Sequence, residues 1–297
     1  MRKFAESLAA KQFTLPLVDK EIWISYLLRE IYALPEGKNL VFKGGTCLVK
    51  AYYGYYRFSE DIDLTWTGGK IREHDFRAKV IGRVMSELGL KWYQDKNVKG
   101  VAGSQSGKIM NYFLRSPEPN GEATKLKITV AFNEKLEFPT QEITLKTITP
   151  KINKRDLEAL YGNVARDYFN APTVPCYSIK EIACEKIRAI LTRKAQPVRS
   201  RDIVDLLKIS EAQGGLEKAA PPKEVKAKLS SALRLPSYKA EFDRTTADLH
   251  EHLQQLALQA TQDPVFIDKL DFEELKKFAG QLETYLKTTG IVEMNGK

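Results

Sequence analysis

The sequence predicts an α+β protein in which a mixed or antiparallel sheet occupies the first half and helices alone fill the second. Two observations carry this. Short apolar runs of strand length, separated by turn residues, recur as far as residue 148. From about Pro150 those runs stop, and apolar residues recur at helical spacing to the C-terminus. The expected division is therefore a core with its N-terminal helix over residues 1–152 and an all-helical C-terminal domain over residues 153–297.

Each element has its own signal. Asp19 to Tyr32 places Trp23, Tyr26, Leu27 and Ile31 along one helical face, with Asp19 as the expected N-cap, and Pro35-Glu36-Gly37 ends the segment. Leu40 to Phe42 reads as a buried strand, Cys47 to Tyr53 as a short helix and Arg57 to Trp66 as a second strand. Phe76, Val80, Ile81, Val84, Met85 and Leu88 share a face of a helix over residues 72–88, closed by Gly89. Strands are expected over residues 90–93, 108–114, 125–132 and 142–148. In the second half, Ser178-Ile179-Lys180-Glu181 is a capping box opening a helix to about Lys194, and Ser200 is the expected cap of the next. Three more helical stretches cover residues 223–233, 239–261 and 272–287.

With 43% hydrophobic and 29% charged residues, the 297-residue chain can bury a core, which excludes a disordered polypeptide. The net charge of +9 suits a polyanionic partner and equally suits plain solubility. Cys47, Cys176 and Cys184 are odd in number and lack C-x-x-C spacing, so they indicate neither a disulfide framework nor a zinc site and fit a reducing cytoplasm. No apolar segment reads as a secretion signal or membrane span. The histidines of His250-Glu251-His252 are two residues apart on an expected helix and face different ways, which argues against a metal site.

The chemistry concentrates between Val41 and Trp66. Lys43-Gly44-Gly45-Thr46 follows a strand and opens a helix, so backbone N–H groups can meet a phosphate with no Cβ in the way. The Walker A spacing is absent. Asp61 and Asp63 alternate with Ile62 and Leu64, which puts both carboxylates on one strand face as hard oxygen ligands for magnesium. A solvated strand end with incidental acids is the alternative for a D-x-D alone. Lys125, Lys127 and Thr129 share one face of a later strand; if that face bears Asp61 and Asp63, the lysines can neutralise triphosphate, and otherwise they guard an edge.

Glycine turn, short helix and D-x-D strand together resemble the polymerase-beta-like nucleotidyltransferase core. KGGT followed by RFSEDIDL resembles, more narrowly, the AbiEii/AbiGii nucleotidyltransferase toxins, with their GG[ST] and R-x-S-x-D-[IL]-D-L patterns. The resemblance implies a polymerase-beta-like core followed by a helical region. It also implies Mg2+, or Mn2+ in its place, on Asp61 and Asp63, and an NTP held by Lys43, Gly44, Gly45, Thr46, Arg57 and Ser59. CEKIRAIL followed by RSRDIVDL resembles a second block of the family, which assigns Lys186 and Asp202 to the active site; an interhelical salt bridge between them is the competing reading. Enzymes of this kind take a third acid from a later strand, where this chain has Thr129, leaving Glu134, Glu142 or a water to fill the place. Arg193, Lys194 and Arg199 crowd the turn between the two helices and suit an RNA backbone.

The expected function is transfer of a nucleoside monophosphate from an NTP to an acceptor, tRNA by resemblance, by a cytoplasmic toxin of a toxin-antitoxin or abortive-infection system with a cognate antitoxin. Two alternatives stand beside it: a protein-nucleotidylating enzyme of the same fold, and a non-catalytic RNA- or nucleotide-binding module, which the missing third acid favours.

Overall fold

The computed structural model describes residues 2–8, 14–93, 109–117, 123–132, 134–150, 152–193, 200–267 and 269–294. The chain forms two compact units, Met1–Lys135 with Thr140–Cys176, and Leu136–Pro139 with Tyr177–Lys297.

The first unit runs α1 (Arg2–Leu8), α2 (Leu15–Ala33), β1 (Leu40–Lys43), α3 (Gly44–Cys47), β2 (Asp61–Trp66), α4 (Glu73–Phe76), α5 (Arg83–Leu88), β3 (Lys91–Trp92), β4 (Ile109–Arg115), β5 (Lys125–Phe132), β6 (Gln141–Thr144), α6 (Lys154–Tyr161), α7 (Asn163–Phe169) and β7 (Thr173–Cys176). A wider π turn over Leu48–Tyr53 prolongs α3, and another over Arg77–Gly82 joins α4 to α5. The strands make one mixed sheet in the order β3-β4-β5-β2-β1-β7-β6. β2 is antiparallel to β1 and parallel to β5, and β1 is parallel to β7.

Residues beyond 152 rejoin this sheet. Phe42 of β1 pairs with Cys176 of β7, and β7 carries the edge strand β6, so the units divide after Cys176 rather than near residue 152. Other elements depart from expectation locally. α2 begins at Leu15 with Pro16 in its first turn, so Asp19 lies inside the helix and takes the Thr124 hydroxyl instead of capping. β2 starts at Asp61, not Arg57, and β6 ends at Thr144.

Strand alternation gives the sheet two unlike faces. Phe42, Ile62, Leu64, Trp66, Tyr112, Leu126, Ile128 and Val130 lie on the apolar face and are buried. There Phe76 gathers Trp66, Tyr112 and Phe132 at ring separations of 5.7, 6.0 and 5.4 Å. Truncating a buried aromatic at such a centre costs about 3–5 kcal/mol. The other face carries Lys43, Asp61, Asp63, Lys127, Thr129 and Asn111.

The second unit is helical: α8 (Ile179–Thr192), α9 (Arg201–Gln213), α10 (Leu216–Ala219), α11 (Pro222–Leu233), α12 (Pro236–Ala247), α13 (Leu249–Ala260) and α14 (Phe272–Thr288). Ser178 Oγ accepts from Glu181 N at 3.2 Å, the first half of the capping box, while the Glu181 carboxylate turns to other partners. Ser200 makes no side-chain cap, and the helix expected over residues 239–261 breaks at Asp248.

Beneath the π turn after α3, Lys50 is buried against Glu21 of α2, its Nζ donating to Glu21 Oε1 at 2.7 Å, Ser25 Oγ at 2.8 Å and Tyr55 Oη at 2.9 Å. Burial holds the Lys50 pKa below the ordinary lysine value, against the opposing charge of Glu21. Lys50→Met should therefore strand Glu21 and lower the unfolding free energy by about 3–5 kcal/mol in a urea titration. Adding Glu21→Gln should recover part of that loss. A single variant as stable as the parent would show that the pair is not buried as described.

Candidate active site

β2 supplies the centre of the site. Ile62 and Leu64 enter the core, while Asp61, Asp63 and Thr65 take the opposite face. Register with the neighbouring strands then decides their company. Lys43 of β1 and Thr129 of β5 stand either side of Asp63, and Asn111 of β4 stands beyond Thr129. In the adjacent row Lys127 lies beside Asp61 and Phe113 beyond it. Lys127 thus does share the face of the two aspartates, and its Nζ meets Asp61 Oδ2 at 3.3 Å. With the two side chains 32% and 44% exposed, that pair is solvent-screened and exchangeable.

The glycine turn closes on the same row. Gly44 has φ +76°, a left-handed value that costs glycine little, and a Cβ there would stand 2.5 Å from Asp63 Oδ2. A Cβ on Gly45 would overlap the Arg57 guanidinium. Arg57 is buried and donates to the Phe58 carbonyl at 2.9 Å. Thr46 is buried too, its hydroxyl 2.7 Å from Ser59 Oγ and against the Asp61 carbonyl. Thr46, Arg57 and Ser59 therefore brace the segment entering β2, whereas Lys43, Gly44, Asp61 and Asp63 border the polar face.

Thr129, which the resemblance sets in the place of a third acid, pairs with Asp63 in register, and its hydroxyl donates to Asn111 Oδ1 at 2.9 Å. Glu142 cannot replace it: β6 is three strands from β2, roughly 14 Å across the sheet at ~4.8 Å per strand. Glu134 does reach the right face, where it pairs with Lys43 and accepts from Thr65 Oγ1 at 3.0 Å. Among the described residues no three His, Cys, Asp or Glu side chains converge as a metal cluster.

In the second unit Lys186 is buried between two carboxylates, 2.7 Å from Asp202 Oδ1 and 2.5 Å from Asp205 Oδ2. The interhelical salt bridge is thus present, with Asp205 as a fuller member than the sequence suggests. Arg193 adds a contact to Asp202 Oδ2 at 3.3 Å. Burial alone would raise the Asp202 pKa, but the charges of Lys186 and Arg193 hold it below the ordinary carboxylate value. Lys194 and Arg199, expected beside Arg193 on RNA, lie outside the described residues. A second buried cluster escaped the sequence reading. Glu181 Oε2 accepts from the N–H groups of Glu137 and Phe138 at 2.9 Å each, and Lys228 meets Glu181 at 2.5 Å and Glu185 at 3.0 Å. Its only signal is a lysine on the apolar stripe of Val225, Leu229 and Ala232.

The family model described as "Nucleotidyl transferase AbiEii toxin, Type IV TA system" matches residues 26–285. The chain belongs to the AbiEii nucleotidyl transferase toxin family. Its fold is similar to that of JHP933 from Helicobacter pylori, with 18% identity and a TM-score of 0.50 over 96% of this chain and 97% of that one. A weaker likeness links it to an antigenic nucleotidyltransferase-like protein from Paracoccidioides brasiliensis, with 12% identity and a TM-score of 0.41 over 75% of this chain and 92% of that one. No curated protein matches the chain in sequence. Membership in an AbiEii toxin family brings an antitoxin partner and a nucleotide substrate with it, and among the described residues no helix is long and apolar enough to cross a membrane.

Without Lys186, Asp202 and Asp205 would be buried with no shared cation, so Lys186→Ala should cost about 3–5 kcal/mol in chemical unfolding. The pH dependence has a definite sign. Because the folded Asp202 has the lower pKa, its contribution is complete above the unfolded carboxylate range, about pH 4, and drains as pH falls through the lower folded value. Asp202→Asn should flatten the acid limb of the stability curve; an unaltered limb would show that this carboxylate carries no linkage.

Proposed function

We propose that this AbiEii-family chain is a magnesium-dependent enzyme that transfers a nucleoside monophosphate from an NTP to an RNA hydroxyl, that of tRNA, in the cytoplasm under the restraint of a cognate antitoxin. The observation that carries the reading is the placement of Asp61 and Asp63 on one strand face with Gly44 packed onto Asp63. Two neighbouring carboxylates repel, and they serve a purpose when a hard cation joins them. Magnesium is commonly held by one or two carboxylates together with waters and substrate phosphates, so Thr129 in the third place is compatible with it. Mn2+ fits the same oxygens. When bound, the ion would withdraw charge from the phosphoryl oxygens during transfer.

The chain's own residues divide the remaining work. Gly44 and Gly45 let the main chain approach the triphosphate, and Lys43 and Lys127 flank the carboxylates with charge that offsets it. The acceptor hydroxyl attacks the α-phosphorus in line, one P–O bond forms, the bond to the β-phosphate bridge breaks, and pyrophosphate leaves. The hydroxyl proton passes to solvent. Thr46, Arg57 and Ser59 hold the turn that presents these groups. The second family block assigns Lys186 and Asp202 a part in the reaction; Asp202, tied to Lys186 and Arg193, suits positioning better than proton abstraction because the neighbouring cations weaken it as a base. Arg193, with Lys194 and Arg199, supplies charge for an RNA backbone.

The test is incubation of the protein with each labelled NTP, magnesium and total RNA, followed by separation of RNA from protein. Label should appear on RNA, and Asp61→Asn or Asp63→Asn should abolish it while leaving the melting temperature near the parent value. Label on protein would move the acceptor to a protein hydroxyl. No label from any NTP would leave a binding module, and full activity in either aspartate variant would remove the metal assignment.

A further inference from the structure

One side chain on the polar face of the sheet is explained by neither metal nor phosphate. The other aromatic residues of the described strands, Phe42, Trp66, Trp92, Tyr112 and Phe132, lie on the apolar face. Phe113 lies on the polar face, half-buried, paired in register with Lys127. One strand, β5, lies between it and Asp61, so the two are two strand spacings apart, about 10 Å at ~4.8 Å per spacing. Asn111 shares its face two residues away on β4. Because the Thr129 hydroxyl donates to Asn111 Oδ1, the Asn111 carboxamide keeps its NH2 group to donate elsewhere.

The geometry points to Phe113 and Asn111 as the subsite for the nucleobase of the incoming NTP, an inference that rests on the transferase reading above. An extended nucleotide has a direction, and the row of side chains supplies one. Gly44, Gly45 and Lys43 at the end of β1 take the outer phosphates, and Asp61 and Asp63 on β2 mark the α-phosphate. Sugar and base then continue over β5 to β4, where Phe113 stands; Tyr93, one strand farther on, also reaches this face, but its ring is covered by Lys125 Nζ at 4.8 Å. Stacking on such a ring accepts any base, because every base has a π face. The Asn111 NH2 adds a donor for a base acceptor atom, of which every base has at least one.

Calorimetric titration of the full chain with magnesium and each of the four ribonucleoside triphosphates, and separately with inorganic tripolyphosphate, tests the subsite. Phe113→Ala should weaken every nucleotide by about tenfold or more, as loss of one base stack does. Its tripolyphosphate affinity should stay at the parent value, and Phe113→Tyr should restore nucleotide binding. Asn111→Ala should likewise weaken nucleotides alone. Equal losses for nucleotide and tripolyphosphate, or no loss for either, would overturn the subsite while the transferase reading stands. A parent protein that binds tripolyphosphate as tightly as NTP would overturn it too. A parent that binds neither would remove the transferase reading and the subsite together.

Discussion

The register of β2 against β1 and β5 is the constraint on which the rest of the first unit depends. Strand side chains alternate with period two, so a slip of one residue would bury Asp61 and Asp63 under the Phe76 cluster and turn Ile62 and Leu64 outward. Several local features oppose that slip. Thr46 holds the Asp61 carbonyl, Gly44 fits against the Asp63 carboxylate, and Lys43 is tied to Glu134. The register that presents the carboxylates also sets Thr129 and Asn111 beside them, so the neutral third position and the β4 subsite follow from one pairing.

Ion pairs fall into two kinds here, and burial separates them. Lys50 with Glu21, Lys186 with Asp202 and Asp205, and Lys228 with Glu181 and Glu185 are buried and link segments distant in sequence. Buried pairs of this sort add little net stability, but losing one partner is costly, so they favour one arrangement of helices over others. Lys127 with Asp61 is the opposite case, half-exposed and weak. A half-exposed, weakly paired lysine such as Lys127 can be displaced by a phosphate or a metal at little cost, whereas the buried pairs hold their geometry. By this criterion the first unit keeps its exchangeable charge on the polar sheet face.

Much of this was legible in the residues. The D-I-D-L alternation fixes the faces of β2, the glycine pair marks the turn, and the capping box at Ser178 marks the start of α8. Thr129 stands in the third-acid place by resemblance, and register sets it beside Asp63. β7 was not legible because it is four residues long and contains Pro175, which demotes a strand pattern. Without β7 the domain boundary moves, since nothing else in the sequence brings residues 154–176 back to the sheet. Asp19 has the chemistry of a cap, but Pro16 starts the helix earlier. The break at Asp248 carries no glycine or proline to announce it. Lys50 and Lys228 give no sign of their partners in the residues, because Glu21 and Glu181 are far away in sequence. The role of Phe113 also needed the register, because only strand pairing shows which face an alternating residue occupies.

The central claim is that Asp61 and Asp63 form one cation site completed by a nucleotide. The most direct measurement is Mn2+ uptake by the full chain, followed by electron paramagnetic resonance with and without an NTP analogue that cannot transfer its nucleotide. The account predicts that the parent binds Mn2+ weakly alone and more tightly with the analogue, and that Asp63→Asn loses both while keeping its fold. Mn2+ binding that is unaffected by the analogue and unchanged in Asp63→Asn would contradict it.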